Sequence, residues 1–227
     1  MIRVTENFRE IQDLLARATA EAKRPAGSVR LLAVSKKKPP EAILEAVAAG
    51  QRDFGENFVQ EGLDKIRSVG RNDLVWHFIG HLQTNKTRAV AENFDWVHTI
   101  DRLKTAQRLS RQRPQHAGDL NVCIQVNVDR EAGKSGVMIE DVETLAKTVA
   151  TLPNIRLRGL MCLPAIRSSY EEQRKPFAAL RKTLVSLQES GLDLDTLSMG
   201  MTDDYLAAIH EGATIVRIGT ALFGRRD

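Results

Sequence analysis

This chain of 227 residues has few cysteines and no long apolar run. Its two cysteines, Cys123 and Cys162, lie in apolar, strand-like segments, which indicates buried free thiols in a reducing compartment rather than a disulfide. No apolar run approaches the length of a membrane span, and the N-terminus lacks the apolar core of a signal peptide. We therefore expect a cytoplasmic protein with no membrane partner.

The charge balance is mild as well. Lysine and arginine number 33 against 29 acidic residues, and the resulting net charge of +4 is spread along the chain. An even distribution of basic residues argues against nucleic acid as the main partner. Charged residues make up 27% and apolar residues 42% of the sequence, as in ordinary globular domains. A chain of this length can bury a substantial core without disulfides.

Eight short apolar segments alternate with helical segments along the whole chain. The predicted strands lie at 30–34, 52–54, 75–79, 96–97, 121–128, 155–160, 196–198 and 214–218, and a predicted helix over 3–23 precedes them. No linker or low-complexity segment interrupts the pattern, which predicts a single domain over residues 1–227. Eight right-handed parallel crossovers close into a (β/α)8 barrel, here with an extra N-terminal helix.

A doubly wound open sheet is the alternative α/β fold for this alternation. Its dinucleotide fingerprint, Gly-x-Gly-x-x-Gly after the first strand, is absent. The segment Gly133-Lys134-Ser135-Gly136 resembles the end of a P-loop, but Val128 occupies the position of the first glycine. We therefore favour the barrel and expect no nucleotide site.

Lys36 lies two residues beyond the first predicted strand, which Pro39 and Pro40 prevent from continuing. In a parallel α/β fold, ligands bind at the carboxyl ends of the strands. Surroundings of low dielectric there favour a neutral, nucleophilic amine, which suggests a lysine that forms a Schiff base. The alternative is that residues 36–38 form a solvated basic turn.

Small residues and hydroxyl groups follow the last two predicted strands. They are Ser198, Gly200, Gly219 and Thr220. Barrels often bind phosphate with these two loops, through backbone N–H groups and a helix N-terminus. The pattern predicts a phosphate site on the same edge of the sheet as Lys36, and Asn57, which follows the second strand, adds an amide there.

Arg217 lies inside the apolar strand 215–218, so its guanidinium needs a buried partner. It either faces a ring nitrogen or an anion at the barrel mouth, or it forms a structural ion pair with Asp203 or Glu56. His77 and His98 lie in or near predicted strands without metal-ligand spacing. We interpret both as packed or hydrogen-bonded histidines and expect no metal site.

Six longer motifs together resemble the pyridoxal phosphate homeostasis protein family. They are Val34-Ser35-Lys36, residues 54–61 (FGENFVQE), 76–86 (WHFIGHLQTNK), 158–161 (RGLM), 197–204 (LSMGMTDD) and 217–224 (RIGTALFG). The resemblance spans essentially the whole chain. One departure is His81, where some relatives have proline. The resemblance implies a fold-type III barrel related to the N-terminal domain of alanine racemases.

The resemblance also implies pyridoxal 5′-phosphate (PLP) as the cofactor and assigns its site. Lys36 would form an aldimine with the PLP aldehyde, and Asn57 would lie beside the ring. Arg217 would face the pyridine nitrogen. The phosphate would be held by Ser198, Gly200, Gly219 and Thr220. Because arginine only donates hydrogen bonds, it keeps that nitrogen unprotonated, which makes the ring a poorer electron sink.

The family resemblance favours a protein that binds and carries PLP over a PLP-dependent enzyme. Racemases use a tyrosine and an additional domain, whereas this sequence ends at Asp227, soon after the eighth strand, and its tyrosines, Tyr170 and Tyr205, suit the surface and helix packing. We expect a monomeric carrier, with no catalytic residues, that buffers PLP or delivers it to PLP-dependent enzymes in vitamin B6 and amino-acid homeostasis. The alternatives are a weak racemase or transaminase, and a phosphate-binding barrel without PLP.

Overall fold

The computed structural model describes residues 4–224, which form eight strands and nine α-helices. The strands are β1 (Arg30–Val34), β2 (Asp53–Glu56), β3 (Val75–Phe78), β4 (Trp96–Ile100), β5 (Leu120–Val126), β6 (Ile155–Cys162), β7 (Thr196–Ser198) and β8 (Ile215–Ile218). The helices are α1 (Val4–Glu21), α2 (Pro40–Ala48), α3 (Val59–Val69), α4 (Thr87–Asn93), α5 (Leu103–Gln112), α6 (Ile139–Ala150), α7 (Tyr170–Glu189), α8 (Tyr205–His210) and α9 (Thr220–Phe223).

All eight strands run parallel in sequence order, and β8 pairs with β1 to close the barrel. In that closing pair Leu32 lies opposite Arg217. The predicted (β/α)8 barrel is therefore confirmed, as is the extra helix before the first strand. Parallel closure places the carboxyl ends of all strands around one mouth, where the candidate site lies.

Three strands, β2, β4 and β6, are longer than the sequence pattern predicted, and β4 continues to Ile100. β2 continues through Gly55 and Glu56, because the Ser35 backbone N–H donates to the Gly55 carbonyl at 3.0 Å and extends the β1–β2 ladder. β6 continues through Cys162 along its pairing with β5. These extensions carry the strands closer to the mouth than expected, so Glu56 is a strand residue rather than a loop residue.

The core has an outer layer, between barrel and helices, and an inner one. In α1 the side chains of Val4, Phe8, Ile11 and Leu15 are buried, whereas Leu14 is exposed. Inside the barrel two small apolar clusters, Leu32–Ile79–Ile215 and Trp96–Cys123–Met161, lie apart from the main core. Buried polar side chains of β3, β4, β7 and β8 occupy much of the remaining interior.

Both cysteines are buried and free, as predicted. Burial raises the pKa of the Cys123 and Cys162 thiols to about 12, so neither is a reactive thiolate at neutral pH. Over residues 4–224, the structure has no helix long and apolar enough to cross a membrane.

Gly80 allows the segments after β2 and β3 to approach each other closely. A Cβ atom at Gly80 would lie 1.9 Å from the Asn57 carbonyl oxygen. We therefore expect Gly80→Ala to lower the free energy of unfolding by about 2–4 kcal/mol, since backbone must move on both sides. Urea unfolding followed by circular dichroism measures this change.

The matched control is Gly70→Ala, because a Cβ at Gly70 would make only an ordinary contact of 3.7 Å with the Arg67 carbonyl oxygen, and only its left-handed conformation, with φ +59° and ψ +31°, is unfavourable. We expect this variant to lose about 1 kcal/mol. Equal losses in the two variants would show that the close approach at Asn57 is not a constraint.

Candidate functional site

A cavity of about 430 Å³ lies at the barrel mouth. Its walls come from the carboxyl ends of β1, β2, β3, β6 and β8 and from the segment after β7. Five of the seven predicted site residues line it: Lys36, Asn57, Arg217, Gly219 and Thr220. Among the described lining residues, Lys36, Lys38 and Arg217 are cationic and Asp203 is the one carboxylate, so the cavity favours an anionic ligand.

Lys36 is held in a turn that immediately follows β1. The Lys38 backbone N–H donates to the Ser35 carbonyl at 3.0 Å, and Lys37 adopts a left-handed φ of +59°. The Ser35 hydroxyl donates to Glu56 Oε1 at 2.6 Å, and the Lys37 backbone N–H donates to the Glu61 carboxylate. These contacts fix the backbone on both sides of Lys36.

A buried ion cluster lies behind this turn. The Lys65 ammonium donates to Glu56 Oε1 at 2.8 Å, to Glu61 Oε1 at 2.6 Å and to the Ser35 carbonyl at 2.6 Å. Burial raises the pKa of Glu56, and hydrogen bonds from Lys65 and Ser35 oppose that rise. Glu56, at the end of β2, and Lys65, in α3, therefore fix the turn. No pattern in the sequence had singled out Lys65.

Asn57, after β2, and Gly219, after β8, both line the cavity. The side-chain oxygen of Asn57 is buried and has no hydrogen-bond partner among the described residues, so an acceptor is available there. A Cβ at Gly219 would lie 3.0 Å from the Val34 carbonyl oxygen, so only glycine leaves this wall of the cavity undisturbed. Thr220 begins the short helix α9 beside it.

The other two predicted phosphate residues do not line the cavity. Ser198, at the end of β7, is fully buried, and its hydroxyl is engaged inside the barrel. Gly200 has a φ of +92°, and its carbonyl accepts from the Arg217 backbone N–H at 3.0 Å. The segment that reaches the cavity after β7 is instead residues 201–203. Roles for Ser198 and Gly200 in phosphate binding stay predictions.

Arg217 projects from β8 into the buried space beneath the cavity and forms no described ion pair with Asp203 or Glu56. Its Nη1 donates to Ser198 Oγ at 2.8 Å and its Nη2 to the Cys162 carbonyl at 2.9 Å. Burial lowers the pKa of Arg217, but a guanidinium stays protonated at neutral pH. The structure therefore shows no ion pair of Arg217 with Asp203 or Glu56, and the guanidinium has donors left for a ligand.

A chain of buried side chains continues from Arg217 through the barrel interior. Ser198 Oγ lies 2.8 Å from His98 Nδ1, and His98 Nε2 lies 2.9 Å from His77 Nδ1. His77 Nε2 then lies 3.0 Å from Asp53 Oδ1, at the start of β2. The chain therefore links the cavity to the opposite end of the barrel. The prediction of hydrogen-bonded histidines is confirmed for both residues.

The end of this hydrogen-bonded chain that is far from the cavity, at His77 and Asp53, is covered by aromatic and cationic groups. The Trp96 ring stacks on His77 with centroids 5.4 Å apart, and the guanidinium groups of Arg30 and Arg158 lie 5.4 and 5.1 Å from the Trp96 ring centroid. Arg30 also lies 3.6 Å from Asp53. Among residues 4–224 there is no cluster of three or more histidine, cysteine or acidic side chains that could hold a metal ion.

The histidine pair makes the stability of the fold depend on pH. Burial lowers the pKa of both His77 and His98 from 6.5, so unfolding takes up protons as the pH falls through 6.5. Stability is then present above pH 6.5 and is lost below it. We expect a loss of up to about 1.4 kcal/mol per pH unit for each histidine, measurable by urea unfolding between pH 7.5 and 5.5.

The matched variants are His77→Gln and His116→Gln, the second at an exposed position. We expect the pH slope to become shallower in His77→Gln and to stay unchanged in His116→Gln. If His77→Gln retains the full slope, His77 is not held neutral by the fold.

Comparison with known sequences places these features in a family. Residues 7–227 match the family described as alanine racemase, N-terminal domain. The pyridoxal phosphate homeostasis protein of Pseudomonas aeruginosa is 55% identical over 227 residues, which cover 100% of this chain and 97% of that protein. The protein of the same name in Escherichia coli K12 is 50% identical, covering 99% and 97%.

Solved structures agree with the sequence comparison. PipY of Synechococcus elongatus with PLP bound is 38% identical, with a TM-score of 0.81 over 92% of this chain and 99% of that one. Alanine racemase from Corynebacterium glutamicum, at 19% identity, shares the fold with a TM-score of 0.75, and this chain covers 61% of its length. On this coverage and identity, the chain belongs to the pyridoxal phosphate homeostasis protein family.

Proposed function

We propose that the mouth cavity binds PLP, that Lys36 holds it as a Schiff base, and that the protein stores the cofactor for PLP-dependent enzymes. The observation that carries this proposal is the pairing of Lys36 and Arg217 in one cavity, Lys36 in the turn after β1 and Arg217 on the adjacent strand β8. Names of the relatives and the PLP bound to PipY support it.

The residues present fit this cofactor. PLP carries an anionic phosphate, a pyridine nitrogen that accepts a hydrogen bond, and polar ring substituents. The cavity offers a positive balance of charge, unused guanidinium donors on Arg217 and an unpaired acceptor on Asn57. Gly219 and Thr220, at the start of α9, leave room and backbone N–H groups for the phosphate. A volume of about 430 Å³ is of the size usual for small-molecule sites.

Lys36 would supply the amine that attaches the ligand. Bound PLP contributes an electrophilic aldehyde and an aromatic ring that withdraws electrons. The turn held by Ser35, Glu56 and Lys65 presents the Lys36 backbone in one orientation, so no further ordering of the backbone is needed when the amine is engaged. The exposed Lys37 beside it has a backbone held by Glu61 but does not line the cavity.

Arg217 favours storage over catalysis. A guanidinium donates hydrogen bonds and cannot accept one, so a pyridine nitrogen facing it stays unprotonated. The ring then stabilises a carbanion at the Cα of an amino acid poorly, which limits racemase and transaminase chemistry. In the described part of the structure neither Tyr170 nor Tyr205 lines the cavity. Tyr170 lies on α7, and its hydroxyl oxygen is 2.6 Å from His210 Nδ1. We therefore propose a carrier, monomeric in solution.

Substitution of Lys36 tests the covalent attachment. We expect the protein mixed with PLP to show a yellow absorption band that borohydride abolishes, leaving one reduced pyridoxyl group on Lys36 by peptide mass mapping. Lys36→Ala should lose the band. Lys37→Ala, which changes the exposed neighbour, should keep the absorption band and the reduced pyridoxyl group on Lys36. A band that survives in Lys36→Ala, or a wild-type protein that stays colourless, would overturn the assignment.

Exchange at Cα separates a carrier from an enzyme. If Arg217 keeps the pyridine nitrogen unprotonated, exchange of the alanine Cα proton in deuterated water should not rise above the rate given by free PLP. Proton NMR of the alanine signal measures this over hours. Exchange well above that rate, lost in Lys36→Ala, would make the protein a weak racemase or transaminase and refute the carrier proposal.

A further inference from the structure

We infer that Asp53, His77, His98 and Ser198 are positioning residues for Arg217, and that the Ser198 hydroxyl serves this chain instead of holding a phosphate. The inference rests on the proposed function, since Arg217 is positioned toward the PLP ring. It departs from the sequence prediction, in which Ser198 held the phosphate. Four hydrogen-bond contacts of 2.8–3.0 Å connect the five side chains without a gap.

The cavity end of the chain fixes which groups donate. Arginine has N–H donors and no acceptor, so Ser198 Oγ must accept from Arg217 Nη1. The single hydroxyl proton of Ser198 is then available for its other neighbour, His98 Nδ1, 2.8 Å away. An unprotonated Nδ1 accepts that proton, and a neutral His98 therefore carries its hydrogen on Nε2.

The other end of the chain requires the same direction. The Asp53 carboxylate accepts, so His77 must donate through Nε2–H and leave Nδ1 as an acceptor. That acceptor lies 2.9 Å from His98 Nε2, which carries the hydrogen assigned to it from the cavity end. With both rings neutral, one arrangement satisfies every atom: each group donates toward Asp53, and both imidazoles are Nε2–H tautomers.

This arrangement determines where the guanidinium of Arg217 lies. One anchor, the Cys162 carbonyl, belongs to the backbone of β6. The other is Ser198 Oγ, whose lone pair faces Arg217 because its proton is directed to His98. Two anchors on different nitrogens fix the plane of the guanidinium, and its remaining donors serve the cavity. Loss of the chain should therefore misplace Arg217 without touching Lys36.

The same arrangement leaves the Ser198 hydroxyl without a proton for a phosphate. Binding of a phosphate by a serine side chain requires donation from its O–H, and here that proton is used by His98. Ser198 also does not line the cavity, whereas Gly219 and Thr220 do. We therefore assign the phosphate end of the cavity to the α9 side and the ring end to Arg217.

Imidazole tautomers can be read directly, before any cofactor is added. Nitrogen-15 NMR of the wild-type protein at pH 7 should show His77 and His98 as neutral Nε2–H tautomers, assigned with His77→Gln and His98→Asn. An Nδ1–H tautomer or a protonated ring at either position would overturn the inference. This readout does not depend on whether the protein binds PLP.

Ligands with and without phosphate separate positioning from phosphate binding. We expect Ser198→Ala to bind both PLP and pyridoxal about tenfold more weakly, as for a lost hydrogen bond to a charged group. If the hydroxyl holds phosphate, only PLP affinity falls. Ser110→Ala is the control: Ser110 is equally buried, donates to the Pro153 carbonyl at 2.6 Å on the outer layer, and should change neither affinity.

Substitutions of His98 test action at a distance, because this residue does not line the cavity. His98→Leu removes the acceptor of the Ser198 proton and should weaken both ligands about as much as Ser198→Ala. His98→Asn retains an oxygen near the Nδ1 position and should recover part of the loss. Unchanged affinity in His98→Leu would refute positioning, even if Ser198→Ala does not fold.

These binding measurements distinguish a failure of the proposed function from a failure of the positioning inference. If the wild-type protein binds neither PLP nor pyridoxal, the proposed function fails and the positioning role fails with it. If the wild type binds both ligands and Ser198→Ala discriminates between them, the proposed function stands and only the positioning inference is refuted. Absorbance of the borohydride-sensitive band gives affinity in every variant, since Lys36 is unchanged.

Discussion

The guanidinium of Arg217 is a permanent charge inside the barrel, and the surrounding structure is arranged to accommodate it. Removing such a charge from water costs several kcal/mol unless it is paired or well hydrogen-bonded. In this fold its direct partners are neutral oxygens, on Ser198 and Cys162, and the carboxylate that ends the hydrogen-bonded series, Asp53, lies beyond two imidazoles. Inward positions that most barrels fill with branched aliphatic residues are therefore polar here.

A second buried charge, Lys65, stabilises the turn after β1 at the mouth, and it does so through ion pairs. It is paired directly with Glu56 and Glu61, and through the Ser35 carbonyl it fixes the turn that carries Lys36. Closure of β8 against β1 brings Arg217 and Lys36 to one cavity. Arg217 is oriented by neutral hydrogen-bonding groups inside the barrel, whereas the turn of Lys36 is held by the charged side chains of Glu56, on β2, and Lys65, on α3.

The barrel and the position of its candidate site could be predicted from the sequence because they depend on local signals. Apolar runs mark the strands, and Lys36, two residues after the first of them, lies at the mouth of any parallel barrel. The buried networks could not be predicted in this way. His98 and Ser198 are 100 residues apart, and they meet only because closure of the barrel aligns inward positions of β4 and β7. Lys65 looks like one more charged helix residue until α3 packs onto β2.

Ser198 shows why a motif does not settle a role. A serine after the seventh strand suits a phosphate loop and a buried hydroxyl relay equally well, and only the direction of its hydrogen bonds distinguishes them. General acid–base catalysis works best with groups whose pKa lies near the operating pH. Burial lowers the pKa of His77 and His98 instead, so the chain holds the same protons, and Arg217 the same partners, throughout the neutral range. Side chains that keep one protonation state are well suited to holding Arg217 in one position.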